Sequence, residues 1–367
     1  MLERVKSLRK EVRDFCEREI VPVGESLAEL KSNLKKLAQR GYLGITYPKE
    51  YGGLGENYLT YSIIAEEVSR ICASTGLTLC AHNSLGTYPL FKFGNEEQKR
   101  KYLPGLCRGE KISAFGLTEP NAGSDASAIE TRAEKREDGY ILNGTKRFIT
   151  SGGFAEVFLI AATLDRSLGT KGISIFILEK GMKGFSIGKE EDKLGVRGSN
   201  TVELILEDVF VPKENLLGRE GEGYKYFMET LDGGRISIAS FALGIAQASL
   251  EKIIQWEKEK NTRSQMVYKI LADLSSQIAA ARLLTHQAAI LKDKGERADL
   301  EACQAKLFAS EIAWRATSDA LRIYGWEGLS TSLPLERFYR DTKISEIGEG
   351  TSEIMRIIIA RELLKNS

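Results

Sequence analysis

The chain has 367 residues, of which 42% are apolar and 28% charged, a length and balance that favour two or three units sharing large apolar cores. Its 52 Lys and Arg against 51 Asp and Glu leave a net charge of +1. Charge therefore exerts no pull toward nucleic acid or an anionic membrane.

In chain order, Val5, Leu8, Val12 and Phe15 recur at helical spacing, and a second helical pattern runs from Leu27 to Arg40 and stops at Gly41. Tyr47 to Gly55 holds three Gly and a Pro and reads as a loop. Helix resumes from about Leu59 to Ile71. Asn95 to Lys99 looks like the first turn of another, with its acidic residues at the positive end of the helix dipole. From Ser113 to about Pro212 the pattern is strand-like. Tyr140–Leu142 and Lys146–Ile149 flank Asn143-Gly144 and predict a hairpin. Val157–Ala161, Ile173–Leu178 and Val202–Leu206 are further strand candidates, so an antiparallel β domain is expected. From Tyr224 onward the chain is helical again. Leu271, Leu274, Ile278, Ala281, Thr285 and Ala288 mark one long face, and Leu300, Ala305, Phe308, Ile312, Ala316 and Leu321 another. A last helix from Ser352 to Leu364 has little polar face and is expected to be buried. The fold class is multidomain α and β: an N-terminal helical domain over 1–112, a central antiparallel β domain over 113–212, and a C-terminal helical bundle over 213–367.

The five cysteines, Cys16, Cys72, Cys80, Cys107 and Cys303, form no CxxC pair and read as reduced thiols of a cytoplasmic protein. Only two histidines are present, His82 and His286, so no metal site is expected. The charged start, Met1 to Phe15, lacks the apolar core of a secretory signal. No uninterrupted apolar run approaches the ~20 residues that span a bilayer.

Neither GxGxxG after a strand nor GxxxxGK[ST] occurs, and Gly218–Gly223 has the wrong glycine spacing. A Ser–His–carboxylate triad would need His286, which sits mid-helix, or His82, which precedes a loop; both read as structural. Two segments stand out. Phe115-Gly116-Leu117-Thr118-Glu119-Pro120-Asn121-Ala122-Gly123-Ser124-Asp125 is a polar loop whose N–H groups and hydroxyls suit a phosphate or a ring heteroatom. Taken alone it is equally an ordinary loop with Asx turns. In Ile347-Gly348-Glu349-Gly350-Thr351-Ser352-Glu353 a carboxylate lies between two glycines at the mouth of a helix. Alone, that is an acidic residue favoured by the dipole.

Taken together these segments resemble the acyl-CoA dehydrogenase family. The resemblance covers nearly the whole chain. It rests on Tyr47–Gly53, Glu96–Lys99, Leu117–Pro120, Ala122–Asp125, Leu142–Lys146, Glu207–Pro212, Leu231–Arg235, Arg340-Asp341 and Glu349–Thr351, in the family's order. It implies bound FAD, a homotetramer built as a dimer of dimers, and α,β-dehydrogenation of an acyl-CoA thioester to the trans-2-enoyl-CoA. Electrons would pass to an electron-transfer flavoprotein. Glu349 matches the family's catalytic base, which takes the α proton while the β hydride goes to flavin N5. Gly234 stands where some branched-chain members carry their base. Phe115, Leu117, Thr118, Gly123, Ser124, Phe148, Ile149, Thr150, Thr351 and Glu353 match positions around the flavin. Ser124, Asp232, Arg235 and Gly350 match positions near the acyl-CoA, although Arg235 reads equally as an ion-pair partner of Asp232.

Three departures touch the half of the FAD site that relatives complete across subunits. Lys260 falls on the family's Arg, about six residues are missing before Gln265, and Lys260 or Arg263 replaces the charge but not the bidentate geometry. Arg322-Ile323-Tyr324-Gly325-Trp326 stands where Gln-x-x-Gly-Gly is usual, so Arg322 and Gly325 take the positions nearest the neighbour's FAD. The segment after Pro22 is short. Two alternatives stay open: a member that has lost FAD and serves as a binding or assembly scaffold, and an oxygen-using flavin oxidase.

Overall fold

A computed structural model describes residues 2–365. Six helices come first: α1 (Leu2–Glu19), α2 (Leu27–Gln39), α3 (Tyr58–Ile71), α4 (Ala73–Cys80), α5 (Tyr88–Phe93) and α6 (Glu96–Cys107). Their ends follow from local chemistry. Ser26 and Asn57 accept backbone N–H groups at the starts of α2 and α3. Asn95 and Gln98 cap α6 reciprocally, each side chain on the other's backbone N–H. Tyr47 to Gly55 is a loop with one 3₁₀ turn at Lys49–Tyr51. Between α4 and α5 the helix continues as a π-helical segment, Ala81–Thr87. His82 therefore sits inside helix and does not precede a loop. Its ring is wholly buried, accepting from Ser113 N–H and meeting the Leu106 carbonyl at 3.2 Å each, which makes it structural.

Eight strands form one sheet: β1 (Ser113–Gly116), β2 (Arg132–Lys135), β3 (Gly139–Thr150), β4 (Val157–Thr163), β5 (Ile173–Glu179), β6 (Phe185–Glu190), β7 (Thr201–Pro212) and β8 (Leu216–Leu217). The order is β6-β7-β3-β2-β4-β5-β8, with β1 against β4. Two expectations are corrected. The sheet is mixed, because β1 and β2 both run parallel to β4. Every residue of β4 is buried, as a strand paired and covered on both sides must be. And Asn143-Gly144 makes no hairpin, since β3 runs straight through it. The ladder with β7 shifts register between Leu142 and Gly144 instead, a bulge that a glycine at φ 151 accommodates.

Six helices follow: α7 (Gly223–Lys260), α8 (Gln265–Asp293), α9 (Asp299–Tyr324), α10 (Leu335–Thr342), α11 (Ile344–Ile347) and α12 (Ser352–Lys365). The helix α7 is long and apolar enough to cross a bilayer by composition, yet 83% of its apolar window is buried inside the protein. It crosses α3 closely: a Cβ on Gly244 would lie 2.3 Å from the Glu66 carbonyl oxygen, and Ser62 and Ser240 share a buried hydrogen bond of 2.8 Å. Glu66 and Glu67 of α3, both fully buried, are paired with Arg9 and Arg13 of α1 and Arg282 of α8, satisfying charges that would be costly alone. The expectation for α12 fails. Only Ser352, Met355 and Glu362 are buried, while Ile357 and Leu363 face outward, because α12 packs mainly against α9 and its apolar residues ring the helix.

Candidate active site

Glu349 and Gly350 connect α11 to α12 with two successive left-handed residues, φ 56 and φ 103. Glycine suits the second. There a Cβ would also approach Met355 Cε to 2.6 Å. The first is unusual for a residue with a side chain, and it aims the Glu349 carboxylate at α7. A Cβ on Gly234 would lie 1.6 Å from Glu349 Oε2, so the hydrogen of Gly234 is what leaves room for the carboxylate. Leu85 of the π-helical segment supplies an apolar wall, with Cδ2 3.1 Å from the same point.

Glu349 Oε2 is buried and has no hydrogen-bond partner. Burial pushes the carboxyl up to about 8, against the pull of Lys306 and Arg235. Lys306 on α9 is wholly buried and donates to the Gly350 carbonyl; burial lowers its ammonium to about 8. Arg235 is buried too. It pairs with Asp232 at 2.6 Å, while its Nε has no partner. Burial, together with a hydrogen bond to Asp299, holds Asp232 well above the carboxylate range. Glu349, Gly350, Asp232 and Arg235 thus lie together.

The second group lies at the ends of β1 and β3. Lys146, fully buried, donates to the Leu117 carbonyl at 3.2 Å and to Glu119 at 2.6 Å. Glu119 also accepts the N–H groups of Glu130 and Thr131 at 2.5 and 3.0 Å, and Arg147 N–H donates to the Thr118 carbonyl at 2.8 Å. These contacts fix the turn from Leu117 to Ala122 against β3 and leave Gly123, Ser124 and Asp125 exposed beyond it. Phe148 sits in a second bulge with φ 58, 55% exposed, under the Arg147 guanidinium. Its neighbours Ile149 and Thr150 are buried and half-buried. Phe115 packs edge-on against Phe227 of α7. The π-helical segment joins both groups, since Leu85 touches the Gly234 side and Gly86 abuts Ser113. Thr351 and Glu353 open α12 beside Glu349, where the Thr351 hydroxyl accepts the Ile354 N–H.

Lys260, Arg263, Gln265, Arg322 and Gly325 are not brought here. Lys260 is 26 residues beyond Gly234 on α7, roughly 39 Å along a straight helix. Tyr324 donates to the Lys252 carbonyl at 2.9 Å, so all five gather at the far end of the bundle. All five are exposed, and Arg322 pairs with Asp319 at 2.7 Å. Sequence reasoning missed Lys306 and the Lys146–Glu119 pair. Lys306 had a signal: it follows Ala302 by four residues and precedes Ala309 by three, on the apolar face of its helix.

Three family models tile the chain: acyl-CoA dehydrogenase N-terminal domain over 3–110, middle domain over 114–209 and C-terminal domain over 221–364. The chain belongs to the acyl-CoA dehydrogenase family. A short-chain specific acyl-CoA dehydrogenase of Clostridium acetobutylicum is 46% identical over 368 residues, covering 98% of this chain and 97% of the relative. A solved structure described as the electron transferring flavoprotein of Acidaminococcus fermentans is 44% identical, with a TM-score of 0.95 over 100% of this chain and 99% of that one. A Bacillus anthracis acyl-CoA dehydrogenase complexed with FAD is 34% identical, with a TM-score of 0.91, covering 99% of this chain and 67% of that one. Acyl-CoA dehydrogenases are FAD-dependent oxidoreductases, and this chain is one of them. Its residues fit the cofactor. Phe148 offers an exposed aromatic face, Gly123 has open space around it, and Thr118 and Ser124 carry hydroxyls on the same pinned turn and loop.

Proposed function

We propose that the protein dehydrogenates a short-chain acyl-CoA thioester between its α and β carbons, with Glu349 taking the α proton. The observation that carries this reading is Glu349 Oε2, buried beside Gly234 with no hydrogen-bond partner, an environment that pushes the carboxyl up to about 8. A base of that strength is far better matched to a weakly acidic Cα–H than an ordinary carboxylate. Bound FAD supplies the hydride acceptor for the β carbon, chemistry no side chain offers. Gly234 leaves the volume in which the carboxylate works, and Leu85 borders that volume with an apolar side chain. Thr118, Ser124, Thr351 and Glu353 would hold the nucleotide, and Phe148, Ile149 and Thr150 would wall its ring. Asp232, Arg235, Ser124 and Gly350 border the acyl-CoA. The backbone N–H of Glu349 polarises the thioester carbonyl as the α proton leaves, an oxyanion-type role.

The short acyl chain is supported by the Clostridium acetobutylicum relative. Transfer of electrons to an electron-transfer flavoprotein is supported by the Acidaminococcus fermentans structure. Association as a dimer of dimers would cover the apolar side chains of Leu283, Ile357 and Leu363, all exposed in the single chain; light scattering tests it. For the chemistry, acyl-CoA added anaerobically should bleach the flavin, faster with short chains than long. Glu349→Gln should keep its FAD and lose nearly all bleaching. Bleaching at the original rate in that variant would overturn the assignment, and hydrogen peroxide released with each turnover would place the enzyme with the oxygen-using members.

A further inference from the structure

Lys306 is an unusual residue for its place. It is wholly buried on the face of α9 that carries Ala302, Ala305 and Ala309, and among the described residues no carboxylate lies within ion-pair distance of it. Its ammonium instead donates to the carbonyl of Gly350, the residue after the base. We infer that Lys306 is a positioning residue for Glu349: it clamps the left-handed Glu349–Gly350 turn through that carbonyl, and its charge favours the ionised base without touching it.

Three observations support this, and the inference rests on Glu349 being the base. The turn contains two consecutive residues at positive φ, a conformation that persists only where surroundings enforce it, and Lys306 reaches it from a different helix. Glu349 Oε2 has no partner. A direct ion pair would occupy the lone pairs that must receive a proton, whereas a cation one residue away leaves them free and still acts through a dry site, where charges interact strongly. The surrounding charges single out Lys306. Arg235 of α7 also faces Glu349, but its guanidinium is tied to Asp232 at 2.6 Å, whereas Lys306 holds the turn that carries the base. Tyr61 of α3 and Cys80 of α4 face the carboxylate as neutral groups, raised by burial. Lys306 itself faces Arg235, Cys303 and Glu346 besides Glu349.

The test is anaerobic single-turnover flavin reduction by the holoenzyme at limiting short-chain acyl-CoA, followed against pH, for wild type, Lys306→Gln, Lys306→Met and Glu349→Gln. Gln retains a donor for the Gly350 carbonyl but no charge. Its acid limb should move up by about one pH unit or more, a roughly tenfold lower rate below the limb, with recovery at high pH. Met loses donor and charge, so its high-pH plateau should fall as well. If Lys306→Met does not retain FAD, the Lys306→Gln limb decides. An unmoved limb in Lys306→Gln beside an inactive Glu349→Gln overturns the role of Lys306 alone. Undiminished reduction by Glu349→Gln overturns the base reading itself.

Discussion

Gly234→Ala should separate the fold from the chemistry. The new Cβ would lie 1.6 Å from Glu349 Oε2 and 2.8 Å from its Cδ. A carbon–oxygen contact settles near about 3.3 Å, so the carboxylate must retreat by roughly 1.7 Å. A misplacement of ~1 Å at a reacting group costs on the order of 10²-fold in rate, and flavin reduction should fall at least that far. The obstructing atom is the end of a flexible side chain, so the fold can absorb it. Ala in the interior of α7 gains ~0.5–1 kcal/mol over Gly from backbone entropy. Melting temperature and FAD content should therefore hold or rise while activity collapses. Anaerobic stopped-flow with a short acyl-CoA reads the rate, and a thermal melt and the visible spectrum of the same sample read the rest. A rate within about threefold of wild type would show that the carboxylate does not work from the position beside Gly234. Loss of FAD or a much lower melting temperature would show that the clash is not absorbed by Glu349.

Two further outcomes are expected. Lys146→Met leaves Glu119 buried without its cation, and breaking such a pair costs ~3–5 kcal/mol; denaturant unfolding should show that loss, with FAD released more readily because the Leu117–Ala122 turn is no longer pinned. The raised carboxyl of Glu349 ties activity to stability with opposite signs. Between the ordinary value of 4.5 and about 8 the folded state binds the proton that the unfolded chain has lost. The stability that this protonated group contributes is thus complete below 4.5 and lost as pH rises through about 8, while reduction at limiting substrate climbs over the same interval. Apoprotein melts and pH–rate profiles measure the two, and Glu349→Gln should flatten the melting trend from this group.

The sequence already carried the order of helices, strands and bundle, because apolar periodicity and caps such as Asn95 and Gln98 are local. It carried the two polar segments as well. What it could not show depends on neighbours. Asn143-Gly144 has hairpin chemistry, but β7 pairs with β3 on both sides of it and turns it into a bulge. The Ile-rich α12 looks buried by composition, yet within one chain it packs mainly against α9, with three of its residues buried. Glu349 could be singled out, but its contact with Gly234 joins residues more than a hundred positions apart, and no local pattern encodes it. The same holds for Lys306, whose partner is a backbone carbonyl.

The left-handed backbone at Glu349 has a consequence for how this enzyme tolerates change. A side chain there carries a conformational cost of ~1–2 kcal/mol that glycine escapes, and its buried, unpartnered oxygen adds to it. Glu349→Gly should therefore yield a more robust, inert protein. Selection for thermal endurance alone would erode this position first, so any directed evolution of the enzyme that screens folding without turnover will tend to discard Glu349, the proposed base.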